Sequence, residues 1–384
     1  MVGIATRGPV DGGMLARCHE LHLKSQSKII GIYAARWCAE QGLELSSGVE
    51  SLLELPLGLT ASGRMEPIGF TQLVEQTAEM DHSPTHGYRA VLASAVSGMS
   101  LPASVINHAV GMAVQAGFES VGTVANWTTL GRPENYRKEF RPIVEEVEPL
   151  AKHARGDAAQ HTDVRVLHSE GIQLGRFSRQ LVIDEMDERD EAPVIPSIAA
   201  AHGRAAQTLL ENLGFSLLLH GSMDDGSPIT DAAFGNREAG KPLTVDNLGE
   251  AFGAMRAQKS NDETALYANV RPSVLVVGSA DYVNALAILK LLNEPLVKVV
   301  ESERIDGGVR DQTGEQTLAG SPGSWFLIDS RRAVERAFLS GNETPQVSRS
   351  VSNGRDGRWS TTWTVSQSVA VKALDRRCVF RRDA

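Results

Sequence analysis

Residues 196–220 constrain the chain more than any other segment. Ile198, Ala201, Ala205, Leu209, Leu213 and Ser216 recur at spacings of three and four, and Leu210, Leu217 and Leu218 widen the stripe. Pro196 stands where a helix tolerates proline, in its first turn. About 24 residues rising about 1.5 Å each make a rod of roughly 36 Å. A fold that contains such a rod is organised around one helix crossing a whole domain.

On either side of it the texture changes. Residues 1–98 hold short helix-like runs at 27–40, 49–55, 70–80 and 88–96, separated by breakers such as Gly42, Pro56, Gly63 and Pro84. Leu101-Pro102 opens a helix over 103–118, with Val105, Ala109, Met112, Ala113, Ala116 and Phe118 as its apolar side. Residues 140–183 carry extended signals without clean alternation. Their polar middle, 151–162, has Gly156-Asp157 at its tip, which predicts a long two-stranded excursion with legs at 145–147 and 164–167. Beyond the rod, 221–236 is loop-like and 245–258 helical. Strand 273–277, helix 281–292 and strand 297–300 then alternate. A long polar loop over 303–324 precedes a strand at 325–329. The chain closes with strands at 334–339, 358–365, 368–373 and 378–381, where Trp359, Thr361, Trp363 and Val365 alternate.

The formal charge of −9 argues against a protein that grips nucleic acid through a basic face. Arg376, Arg377, Arg381 and Arg382 form the one local exception, diluted by Asp375 and Asp383. No stretch reaches the roughly 18 apolar residues of a membrane helix, and no secretion signal opens the sequence. Cys18, Cys38 and Cys378 cannot make a disulfide framework.

Residues of catalytic type are present without catalytic spacing. Cys18, His19 and His22 lack the paired ligands of a zinc site, and His82 and His86 lack a carboxylate or thiol partner. The acidic run 184–191 has neither the glycine nor the alternation of a calcium loop. No phosphate loop, dinucleotide fingerprint or nucleophile elbow occurs. The expectation is a chain with no catalytic residue, no metal and no cofactor.

Five phrases occur in fixed order. Leu101-Pro102 leads to Gly117-Phe118-Glu119 and Trp127; Phe140-Arg141-Pro142 follows, then Gly175 through Asp184; Gly203-Arg204-Ala205-Ala206 precedes Glu211-Asn212; Gly341-Asn342-Glu343-Thr344-Pro345 and Ala373 through Arg377 close the series. In that order they resemble the Mu-type major head subunits of tailed phages, in particular the capsid half of polyproteins in which a prohead protease precedes the capsid protein. Asp184-Glu185-Met186-Asp187 departs from the family's usual asparagine and paired aspartates, and no protease portion is expected upstream.

The resemblance implies an α+β chain with the phage capsid fold of the Hong Kong 97 type. Residues 1–98 would be a helical scaffold-like or linker segment, 99–138 an N-terminal arm and 139–176 an extended loop. Residues 177–244 and 333–384 would form a peripheral domain with spine helix 196–220, and 245–332 an axial domain. It implies a major capsid protein that is not an enzyme and that self-assembles, as pentamers and hexamers, into the icosahedral head shell around the genome. Implied partners are the portal protein, a prohead protease or scaffold, and packaged double-stranded DNA held without sequence specificity; no membrane is involved. The implied location is the virion, after assembly in the host cytoplasm and prohead maturation.

Expected assembly contacts are Phe140, Lys152, Val164, Val166, Arg179 and Trp127. Lys152 and Asn342 are the residue types that cross-link in some relatives, although nothing in the sequence fixes that geometry. Removing 152–161 is expected to leave a folded subunit that fails to form regular shells. Two other functions fit parts of the pattern. An encapsulin-like nanocompartment shell would share the fold and enclose protein cargo. An α/β enzyme could be built on 273–329, but the polar residues expected at its strand ends are missing.

Overall fold

The computed structural model describes residues 101–120, 122–144, 146, 166–184, 195–260, 266–311, 315–353 and 359–384. In chain order the helices are α1 (Leu101–Glu119), α2 (Ile195–His220), α3 (Val245–Arg256), α4 (Tyr282–Leu292) and α5 (Glu303–Gly307). The strands begin with β1 (Thr129–Gly131), β2 (Glu139–Val144), β3 (Val166–Ile172), β4 (Gly175–Asp184) and β5 (Arg237–Glu238). They continue with β6 (Val274–Val277), β7 (Lys298–Glu301), β8 (Val309–Arg310), β9 (Gln316–Leu318) and β10 (Trp325–Ile328), and end with β11 (Val334–Phe338), β12 (Gln346–Asn353), β13 (Trp359–Ala373) and β14 (Val379–Arg382). The chain is α+β, as the sequence predicts.

Two compact units are distinguished, and α2, β4 and β13 run through both. The larger unit comprises 122–177, 206–343 and 367–384. Its centre is a sheet in the order β5-β14-β10-β6-β7. Every residue of β6 and β10 is buried, as short unbroken apolar runs must be when both faces of a strand are covered. β6 and β7 are parallel, with α4 as the crossover, whereas β10 is antiparallel to β6 and β14. Leu248, Phe252 and Met255 of α3 join Ile288 and Leu289 of α4 in the same core. Thr244 caps α3 by accepting the Asn247 N–H at 3.2 Å. Gly308 ends α5 with φ +77°, and a Cβ there would lie 2.1 Å from the Leu318 carbonyl oxygen, so only glycine fits. β1 pairs parallel to β11, which is antiparallel to the C-terminal part of β13. A turn at 376–378 then carries the chain from β13 into β14.

The smaller unit comprises 1–121, 178–205 and 344–366. In it β12 and the N-terminal part of β13 form a hairpin from Gln346↔Ser366 to Asn353↔Trp359, with Trp363 and Val365 buried. α1 and the start of α2 meet backbone to backbone. A Cβ on Gly117 would lie 2.0 Å from the Ala200 carbonyl oxygen, and one on Gly203 would lie 1.9 Å from that of Val114. Ala113, Val114, Ala199 and Ala200 are fully buried around this crossing.

Several expectations need correction. The buried side of α2 runs through Ala199, Ala200, Gly203, Gln207, Leu210, Glu211, Gly214, Phe215 and Leu218, so it is rotated from the predicted stripe; Ala201 and Ala205 are exposed. Close helix neighbours require small residues, and Glu211 is consumed by hydrogen bonds. It accepts the Thr123 N–H at 2.6 Å, the Thr123 hydroxyl at 2.7 Å, the Val124 N–H at 3.0 Å and the Gln207 amide at 3.2 Å. The predicted loop over 303–324 contains α5 and the antiparallel pair β8–β9. The two predicted strands at 358–365 and 368–373 are one strand, β13, and β12 was not anticipated. The described legs of the hairpin are β2 and β3; of the predicted legs, 166–167 falls in β3, and 145, 147, 164 and 165 lie outside the described residues. The helical runs predicted within 1–98, most of the excursion 145–165 and most of the acidic run 184–191 lie outside the described residues.

Candidate assembly surface

The β2–β3 hairpin belongs to the larger unit, and its alternation separates two chemistries. On one face Glu139, Arg141 and Ile143 stand opposite Ile172, Glu170 and His168; on the other, Phe140, Pro142 and Val144 stand opposite Gly171, Ser169 and Val166.

The first face is tied to its own chain by charge. Arg141 donates from Nε to both carboxylate oxygens of Glu335, at 3.2 and 3.1 Å, and from Nη1 to Glu139 at 3.0 Å. Asp224 sits between Lys138 at 2.8 Å and Lys372 at 2.9 Å, and accepts the Gly171 N–H at 2.9 Å. Glu170, buried, accepts the Asp224 N–H at 2.8 Å and lies 3.4 Å from Lys372. The His168 ring nitrogen Nε2 lies 3.1 Å from the Leu374 carbonyl oxygen. Hydrogen bonds from Lys138 and then Lys372 hold the Asp224 carboxyl well below the usual carboxylate range.

A carboxyl whose folded value is depressed contributes its full stability above its unfolded value, 3.8, and loses it progressively as the pH falls from there through the folded value. The protection factor of the Gly171 amide should therefore be constant above about pH 5 and fall progressively in acid below about pH 4. Asp224→Asn should lower it at every pH. Protection that stays constant through acid well below about pH 4 in the unmodified chain would show that the lysines do not hold the carboxylate.

The second face is apolar and open. Phe140 is 59% exposed, Val166 58% and Val144 42%, and Lys138 lies 5.3 Å above the Phe140 ring. A ribbon anchored through its charged side presents a greasy strip outward, the reverse of a ribbon lying on its own core.

Of the expected contact residues, Phe140 and Val166 share this strip. Arg179 is exposed on β4 in the smaller unit, where burial and then the Arg179 charge push the His202 ring below its ordinary value. Trp127 requires correction. It is fully buried and meets Phe215 edge-on at 5.7 Å between centroids, so it serves the core of its own chain. Lys152 and Val164 lie outside the described residues. Asp224, Glu335 and Lys372, which position the hairpin, had no signal in the sequence because they come from segments far from it.

The C-terminal arginines also turn inward, with side-chain exposures of 16, 12, 7 and 2% for Arg376, Arg377, Arg381 and Arg382. They pair with Asp225, Asp375, Asp383 and Glu238 respectively, so they form no basic patch on the surface. An open cavity of about 480 Å³ beside Asn269, Arg271 and Leu296 includes one ion pair, Arg256–Glu294 at 3.3 Å, and no histidine, cysteine or serine. Among the described residues no three His, Cys, Asp or Glu side chains gather as metal ligands, and no helix is long and apolar enough to cross a membrane.

The chain is similar to the capsid of Ralstonia phage GP4 at 10% identity and a TM-score of 0.45, over 67% of this chain and 90% of that one. It is similar to a virus-like particle from Pyrococcus furiosus at 12% and 0.43, over 71% and 98%. It is also similar to an encapsulin complex from Synechococcus elongatus at 9% and 0.42, over 69% and 88%. No curated protein matches the sequence. These scores lie below 0.5, and the assignment rests on sequence: the family model for phage capsid protein matches residues 170–381, a little over half of the 384. The matched stretch takes in α2, the central sheet except the last residue of β14, and the paired arginines Arg376, Arg377 and Arg381, and the chain belongs to the phage capsid protein family.

Proposed function

We propose that this chain is the major capsid protein of a Mu-type tailed phage, folded in the Hong Kong 97 manner and assembling as pentamers and hexamers into an icosahedral head. The observation that carries the reading, beside family membership, is the β2–β3 hairpin, fixed to its own chain on one face and apolar and uncovered on the other. A two-stranded ribbon is marginal in water until something packs on it. In a shell that partner is the next subunit, and many modest contacts compound on a closed lattice. On this reading 139–176 is the extended loop, 99–138 the arm, 177–244 with 333–384 the peripheral domain and 245–332 the axial domain. The role is structural, in the virion, after assembly in the host cytoplasm with a portal protein and a prohead protease or scaffold. DNA is contained and not gripped, consistent with a charge of −9 and arginines paired internally.

Negative-stain imaging with intact mass of the purified chain tests this. Closed shells are expected, and a subunit that remains single under every associating condition would overturn it. Shells that co-purify with a protein cargo would favour a nanocompartment. The double variant Phe140→Asp with Val166→Asp should melt within about 1 kcal/mol of the parent, because both sites are open, yet yield no regular particles by sedimentation. Normal particles from it would remove the hairpin from the assembly surface.

A further inference from the structure

Helix α4 has an uncovered apolar side. Ala285, Ile288 and Leu289 face the core, while Val283, Leu286 and Leu291 are 76, 46 and 74% exposed, and Leu296 just past the helix is 84% exposed. Spacings of three and four link 283, 286, 287, 290 and 291 along one side of a helix. Lys290 is exposed within that stripe and makes no ion pair among the described residues.

Helix α3, in the same unit and packed beside α4, carries the complementary surface. Gly249 and Gly253, one turn apart, are exposed, and a Cβ on either would meet nothing within 4 Å. Each costs a helix about 0.8–1 kcal/mol relative to alanine, and no contact among the described residues requires either. Asp246 and Glu250 are exposed on the same side. Glu250 is shared with Lys241 at 2.9 Å, whereas Asp246 makes no ion pair among the described residues.

We infer that the Val283–Leu286–Leu291 stripe of one copy docks across the Gly249–Gly253 face of α3 in a second copy, with Lys290 against Asp246. Charge selects this occupant: a lysine in an apolar stripe meets a carboxylate beside a shallow glycine trough, both supplied by one acidic chain. The glycines let the incoming helix approach closely, which accounts for their cost. Made once between each pair of copies, the contact is head-to-tail and propagates into a ring or filament; covalent multimers beyond the dimer, in the test below, separate it from a reciprocal two-fold pairing. The inference rests on the shell reading and names a ring contact within it.

The test uses the full chain and three kinds of variant, with particle formation read by sedimentation and negative stain, and folding by thermal melt. Leu291→Asp should melt as the parent does and lose the particle peak. Lys290→Glu and Asp246→Lys should each lose particles, and the two combined should restore them. Gly253→Cys with Leu291→Cys should give, after mild oxidation, a ladder of covalent multimers on a non-reducing gel. If the parent forms shells and Leu291→Asp forms them equally well, or the cysteine pair gives shells without a ladder, this contact is wrong and the shell reading stands. If the combined charge swap stays dispersed, Lys290 does not face Asp246. A parent chain that never associates overturns both readings.

Discussion

Replacing Asp375 with alanine is expected to lower the melting temperature of the unassembled chain by roughly 10 °C, about 3–5 kcal/mol. Asp375 is fully buried in the turn that carries the chain from β13 to β14. It accepts the Arg377 backbone N–H at 3.0 Å and the Arg377 guanidinium at 2.9 and 2.8 Å, with Arg332 at 3.7 Å. Burial alone would raise its carboxyl, but the Arg377 hydrogen bond and charge outweigh that and hold it below the ordinary range, so the pair is ionised near neutrality. Truncation leaves the Arg377 guanidinium, 12% exposed, without its counter-charge. That is the costly way to break a buried pair. Asp375→Asn keeps an acceptor for the backbone N–H and should lose roughly half as much. A melting point for Asp375→Ala within about 2 °C of the parent would show that Arg377 finds another partner.

What could be read in advance follows the range of the interactions. The length of α2, and strands at β6, β10 and β11, came from local pattern: a run of apolar residues in period with a helix, or dense enough for a covered strand. The face α2 buries was not readable. Leucines marked a stripe, but Ala199, Ala200, Gly203 and Gly214 decide which side neighbours can approach, and the sequence does not say that neighbours come so close. β12 was missed because Gln346–Asn353 has only Val347 and Val351 as apolar residues and is recruited by pairing with β13. Ser366-Gln367-Ser368 looked like a break. In the fold, β13 continues through it while changing partner from β12, whose pairing ends at Ser366, to β11, whose pairing begins at Val369.

The assembly surface was half legible for the same reason. Phe140 and Val166 stood out as apolar residues in a polar excursion, whereas the charged groups that hold the hairpin, Lys138, Asp224, Glu335 and Lys372, are spread across up to some 230 positions of sequence. What the sequence does contain is an inversion. In β2 the charged Glu139 and Arg141 face the protein, and Phe140, Pro142 and Val144 face out. An alternating strand normally puts its apolar set inward. The reverse order indicates a strand whose apolar set is reserved for something outside the chain.

Gly203→Val is expected to cost about 3 kcal/mol and to release α1 from α2 while leaving the larger unit folded. The added Cβ would stand 1.9 Å from the Val114 carbonyl oxygen and 2.8 Å from the Phe118 nitrogen, both backbone atoms of α1, so no rotamer change relieves the clash. The helices would have to separate along their whole crossing, which removes the reciprocal approach of Gly117 to Ala200 and opens the buried Ala113, Val114, Ala199 and Ala200 to water. Hydrogen exchange should show α1 amides near Val114 losing protection while β6 and β10 keep theirs. Gly111→Ala on the same helix is the control. A Cβ there meets nothing within 4 Å, so the change should be neutral or stabilise α1 by up to about 1 kcal/mol through helix propensity alone. Protected α1 amides in Gly203→Val would mean that the helices pack without the close backbone approach, and that the glycines at 117 and 203 answer some other need.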